Sequence, residues 1–131
     1  MKAQKLTPNL VVRDVAASLD FYRRVLGLQT TITVPDQPPY VFGAVAQDNV
    51  EVFFNQQQAV AADYPDLANR LIGGSLTLFL EVDDLRAVLQ NVEAAGAKIT
   101  MPVKDQFYGM REFSFEDVDG YVITIAQRIG Q

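Results

Sequence analysis

Two stretches of this chain, 70 residues apart, carry one pattern: Val12-x-Asp14 with Leu19, and Val82-x-Asp84 with Leu89. No other feature narrows the possible folds so far, because a repeat asks each half to form the same supersecondary unit. In each copy a short carboxylate stands where a helix would begin, apolar residues follow at helical spacing, and a glycine closes the run. The first helix reads from Asp14 through Val15, Leu19, Tyr22 and Leu26 to Gly27. The second reads from Asp84 through Leu85, Val88, Leu89 and Val92 to Gly96. An apolar strand precedes each: Leu6–Val12, with Pro8 near its start, and Ser75–Val82.

Three strands follow each helix. In the first half these are Gln29–Val34, Tyr40–Ala46 and Val50–Asn55. In the second half Lys98–Met101 reads as a strand and Pro102–Asp105 as a loop, and Gln106–Gln127 holds a hairpin. Within it Met110, Glu112, Ser114 and Glu116 alternate with Arg111, Phe113 and Phe115, the period of a half-buried strand. Asp117, Asp119 and Gly120 supply turn chemistry, and Tyr121–Ala126 is the return strand. The order strand, helix, three strands, twice over, predicts an α+β fold: two paired βαβββ modules forming a curved mixed sheet around a cavity. Module 1 covers about residues 6–55 and module 2 about 75–128. The linker 56–74 has short helical turns expected over 59–62 and 66–71. Neither half makes a sheet large enough to stand alone, so the two are expected to pack side by side with their helices outside.

A length of 131 residues suits a single domain able to bury a core without staples. Histidine and cysteine are both absent. That removes disulfides, thiolate chemistry, the commonest metal ligand and the commonest acid or base near neutral pH. A zinc or iron site would need carboxylates and neutral oxygens alone. The net charge of −5, from 16 acidic and 11 basic residues, argues against a nucleic-acid partner. No apolar run reaches the roughly 20 residues of a membrane helix, and no signal peptide is expected before the first strand. A cytoplasmic location without membrane association is therefore expected.

The run Asp14-Val-Ala-Ala-Ser-Leu-Asp-Phe-Tyr-Arg-Arg-Val-Leu-Gly27 is similar to the first helix motif of the vicinal oxygen chelate superfamily. This is the group of glyoxalases, bleomycin resistance proteins and extradiol dioxygenases. Glu116-Asp-Val-Asp-Gly-Tyr121 is similar to its last hairpin turn, and the resemblance spans essentially the whole chain. It implies the fold just described. The family includes isomerases, ring-cleaving dioxygenases, epimerases, thiol transferases and proteins that only sequester a drug. Its metal-dependent members hold the ion with two ligands per half, commonly His and Glu. The matching positions here fall on Thr7, Glu51, Thr77 and Thr124. Three neutral hydroxyls and one carboxylate are a poor set for a divalent ion, so the resemblance implies no metal and no cofactor.

The candidate site follows from these positions. Glu51 shares a strand face with Phe53; buried there it would have a raised pKa and serve as a general base, or it stands exposed at a strand end. Thr7, Thr77 and Thr124 are its candidate companions, with Asn9 beside Thr7 on the first strand. Arg111 and Glu112 face opposite sides of their strand; an inward Arg111 would clamp an anion, and an outward one would form an exposed ion pair. Phe79 lies on an inner strand, and Phe107 and Tyr108 stand before Gly109 in a loop, placed to line a pocket. The expected function is metal-independent binding of a small hydrophobic or aromatic molecule by a homodimer, resembling the bleomycin-resistance branch. Alternatives are a lyase, isomerase or transferase with Glu51 as base, and a dimerising fold with a vestigial cavity.

Overall fold

β1 (Asn9–Val12) is shorter than the apolar run that leads into α1 (Val15–Leu26). Pro8 has no N–H for the ladder, and Leu6 is exposed. Only the Pro8 carbonyl joins the sheet, accepting from the Phe53 amide at 2.9 Å. The computed structural model describes residues 1–130. The chain divides into two compact units, Met1–Leu71 and Ile72–Gln131, and the boundary falls inside the expected linker.

In the first unit α1 is followed by β2 (Gln29–Val34), β3 (Phe42–Gln47) and β4 (Val50–Gln56). The strands lie in the order β1-β4-β3-β2. β1 runs parallel to β4, and the other pairs are antiparallel. The Asp14 carboxylate caps α1 by accepting from the Ala17 amide at 3.3 Å. Gly27, at φ 71°, ends it in the left-handed conformation that glycine adopts without strain. Val15, Leu19, Tyr22 and Val25 of α1 are buried, as are Leu10, Val12, Val45, Val52 and Phe54 of the sheet. The Tyr22 and Phe54 rings meet at 4.9 Å. In the linker, α2 (Gln57–Val60) begins two residues before the turn expected over 59–62, and a single 3-10 turn at Pro65–Leu67 stands in place of the longer one expected over 66–71. Pro65 starts the 3-10 turn and has no N–H to continue a ladder.

The second unit repeats the plan with β5 (Thr77–Glu81), α3 (Leu85–Ala95), β6 (Ile99–Asp105), β7 (Met110–Glu116) and β8 (Val122–Arg128). Its strand order is β5-β8-β7-β6, with β5 parallel to β8 and the rest antiparallel. Asp84 caps α3 through the Ala87 amide at 3.1 Å. The core holds Leu85, Val92, Phe113, Phe115, Ile123 and Ile125. Each unit is thus a βαβββ module with a mixed four-stranded sheet.

β6 departs from the sequence expectation. It continues to Asp105, through the segment expected to be a loop. Pro102 is tolerated because β6 is an edge strand and its register against β7 shifts between Met101 and Lys104. The turn between β7 and β8 is held as its composition suggests: one Asp117 oxygen accepts from the amides of Asp119 and Tyr121 at 2.8 and 3.0 Å.

Candidate functional site

α1 covers only one face of the first sheet. Strand alternation therefore leaves Asn9, Phe42, Ala44, Glu51, Phe53 and Asn55 on the other. Glu51 and Phe53 share this face, as the spacing predicts, and both are half-buried. The Phe53 ring meets Phe42 edge-on at 5.2 Å. Asn9 is exposed and accepts from the Asn55 amide group. Glu51 Oε1 accepts from Thr7 Oγ1 at 3.0 Å and lies 2.6 Å from Lys5 Nζ, with 18% of its side chain exposed.

This arrangement corrects one expectation. The Lys5 ammonium, helped by the Thr7 hydroxyl, outweighs burial and holds the Glu51 carboxyl below its ordinary value of 4.5. Burial was expected to raise it. Glu51 is thus an ionised, paired carboxylate, poorly suited to take up a proton at neutral pH. Lys5 was not singled out from sequence; it stands two residues before Thr7 in a stretch that pairs with no strand.

In the second unit α3 lies on the face that carries Phe113, Phe115, Ile123 and Ile125. The opposite face presents Thr77, Phe79, Glu112, Ser114, Thr124 and Ala126. Thr77 is exposed and Phe79 is 57% exposed. Thr124, cross-strand from Ser114, shares a 2.8 Å hydroxyl–hydroxyl hydrogen bond with it. Arg111 falls on the α3 side, where it lines a shallow groove with Leu85, Arg86, Leu89 and Val103. There it makes a bidentate pair with Asp105 at 2.7 and 3.1 Å, and both side chains are about half exposed. This is the exposed ion pair, not the inward clamp, because Arg111 shares its pleat with Phe113 and Phe115.

The charged group that faces the open side is Glu112. It is 3% exposed, and its Oε2 accepts from the Tyr108 hydroxyl at 2.7 Å. Gln106 Nε2 lies 3.5 Å from Oε1. The anionic neighbour raises the Tyr108 phenol above its ordinary value of 10.0, so the phenol stays a donor. Tyr108 is half exposed and Phe107 almost fully so, their rings edge to face at 5.1 Å in the turn between β6 and β7. The sequence carried part of the signal for Glu112: it alternates with Met110 and Ser114 against two phenylalanines, so it faces away from those rings, and the seating of α3 on the rings decides the rest.

The family model for the glyoxalase/bleomycin resistance protein/dioxygenase superfamily matches residues 6–125. The chain belongs to this superfamily. An uncharacterized protein of Mycobacterium bovis is 27% identical over 126 residues, 95% of this chain and 83% of that protein. Among solved structures, a superfamily enzyme from Burkholderia phytofirmans PsJN has a TM-score of 0.79 at 21% identity, covering 94% of this chain and 97% of that one. TioX from Micromonospora sp. ML1 has a TM-score of 0.75 at 17% identity, covering 97% and 100%. At these identities the structures share the fold alone. The chain's own residues do not fit the metal of the superfamily's metal-dependent members. Of the four matching positions, Glu51 is engaged by an ammonium, Thr124 by Ser114, and Thr7 donates to Glu51. Among the described residues no three carboxylates group as a metal site would require.

Proposed function

We propose that this superfamily member binds a small hydrophobic or aromatic molecule without a metal ion, as a homodimer. The observation that carries the proposal is the make-up of the second-sheet face that α3 does not cover. An exposed phenylalanine, Phe79, stands there beside a Ser114–Thr124 hydroxyl pair and the buried carboxylate of Glu112. Small-molecule sites have this make-up: apolar surface for most of the contact and a few placed polar groups for orientation. An exposed ring on a regular strand costs solvation unless something covers it. In the first unit the Phe42–Phe53 pair and Thr7 supply the same mixture. Cysteine-free composition suits a reducing, cytoplasmic setting, and no helix among the described residues is long and apolar enough to cross a membrane.

Catalysis by Glu51 as general base is the weaker reading, since Lys5 keeps that carboxylate ionised and paired. The test is binding of aromatic probes to metal-free protein, followed by calorimetry. Wild type is expected to bind with an affinity that EDTA does not change. Phe79→Ala is expected to weaken it about tenfold, roughly 1.4 kcal/mol. One tightly held divalent ion per chain, required for binding, would overturn the proposal.

A further inference from the structure

Glu112 presents an electrostatic problem that its own unit does not solve. Its carboxylate is 3% exposed, yet both of its hydrogen-bond partners, the Tyr108 phenol and the Gln106 amide, are neutral. An ionised carboxylate removed from water is costly unless a cation or several donors compensate it. Two oxygens offer about four acceptor positions, and only two donors reach them, one at the long distance of 3.5 Å. Lys104 stands opposite on β6 but is exposed and forms no ion pair with Glu112 among the described residues. Arg111, the adjacent cation, lies on the other face and is spent on Asp105. Asp117, another buried carboxylate of the unit, is used within its own turn, where it accepts from two backbone amides.

The surroundings favour one kind of partner. Tyr108 reaches the carboxylate, the exposed Phe107 ring packs edge-on against Tyr108, and aromatic faces attract cations. The phenol and the amide belong to side chains of a turn, so either can swing aside without moving a strand. Ser114 and Thr124 lie one pleat further along the same face.

We propose that Glu112 is the recognition group for a protonated nitrogen, an ammonium carried by an aromatic ligand, which takes over the hydrogen-bonding capacity that Tyr108 and Gln106 leave unfilled. The inference rests on the proposed aromatic-ligand function and names the ligand's charge. Ligands carrying a carboxylate are excluded by repulsion from the same group.

The experiment compares phenethylamine with its neutral isostere 2-phenylethanol by calorimetry on wild type and Glu112→Gln. Wild type is expected to bind the amine about tenfold more tightly, because the ammonium neutralises the carboxylate and the alcohol only donates to it. Glu112→Gln is expected to abolish that preference, so that the two probes bind alike. Should Glu112→Gln fail to fold, Glu112→Asp withdraws the charge by one methylene and is expected to weaken the amine selectively. Equal affinity for the two probes in wild type, or an undiminished preference in Glu112→Gln, overturns the inference and leaves the aromatic-ligand function standing. Binding of neither probe overturns both.

Discussion

Glu51 carries its carboxylate 2.6 Å from an ammonium and 3.0 Å from a hydroxyl, whereas Glu112 has only neutral donors. The two residues lie on corresponding open faces, each on a strand whose alternation is plain in the sequence. Their chemistry diverges because their partners come from different distances along the chain. Lys5 and Thr7 reach Glu51 from 46 and 44 residues away, while Tyr108 and Gln106 are four and six residues from Glu112. A pH test follows for Glu51. Its folded pKa lies below the ordinary 4.5, so the Lys5 pairing stabilises the fold fully above pH 4.5 and fades as pH falls through the folded value. Lys5→Met is therefore expected to lower the melting temperature slightly near pH 7 and to leave it equal to wild type at pH 2. A gap that persists at pH 2 would mean that Lys5 acts through packing.

At the level of elements, the capping carboxylates, the terminating glycines and the helical stripe were all legible, because each depends on residues within one or two turns of each other. The extent of β6 was not. Pro102 signals a break, but whether a break becomes a bulge depends on having a partner strand on only one side, and that is a property of strand order. The close seating of α1 on its sheet is also tertiary. A Cβ on Gly43 would lie 2.8 Å from Val15 Cγ1 and 3.1 Å from Leu19 Cδ2. Gly43→Ala is expected to destabilise the protein by about 1–3 kcal/mol through overpacking, since a β-branched valine has little rotamer freedom to yield. Gly74→Ala, where an added Cβ meets nothing within 4 Å, is the control and is expected to be near neutral in the same urea denaturation. Equal effects would show that backbone entropy, not packing, decides both sites.

At the scale of the whole molecule, the absence of histidine and the run of threonines at matching positions set the expected response to chelation. A resident ion would stabilise the folded state by mass action. Dialysis against EDTA is accordingly expected to leave the melting temperature unchanged; a fall that one divalent ion reverses would contradict metal-independent function. Light scattering at micromolar concentration is expected to return twice the chain mass, and a monomer at all concentrations would remove the homodimer from the proposal.

Local pattern along the chain specifies the doubled βαβββ plan, the two helices with their caps, and which residues of a strand share a face, since all of these follow from periodicities within a segment. The sequence also shows that this chain supplies neither an imidazole nor a thiol. The packing of the folded chain settles which face of each sheet the helix covers. That choice sent Arg111 to the solvent and Glu112 beneath Tyr108. It likewise decided that Lys5 reaches Glu51. A strand's alternation says which side chains point the same way, but not which way that is. A charge partner distant in sequence is set by the packing of the chain, which no local pattern records.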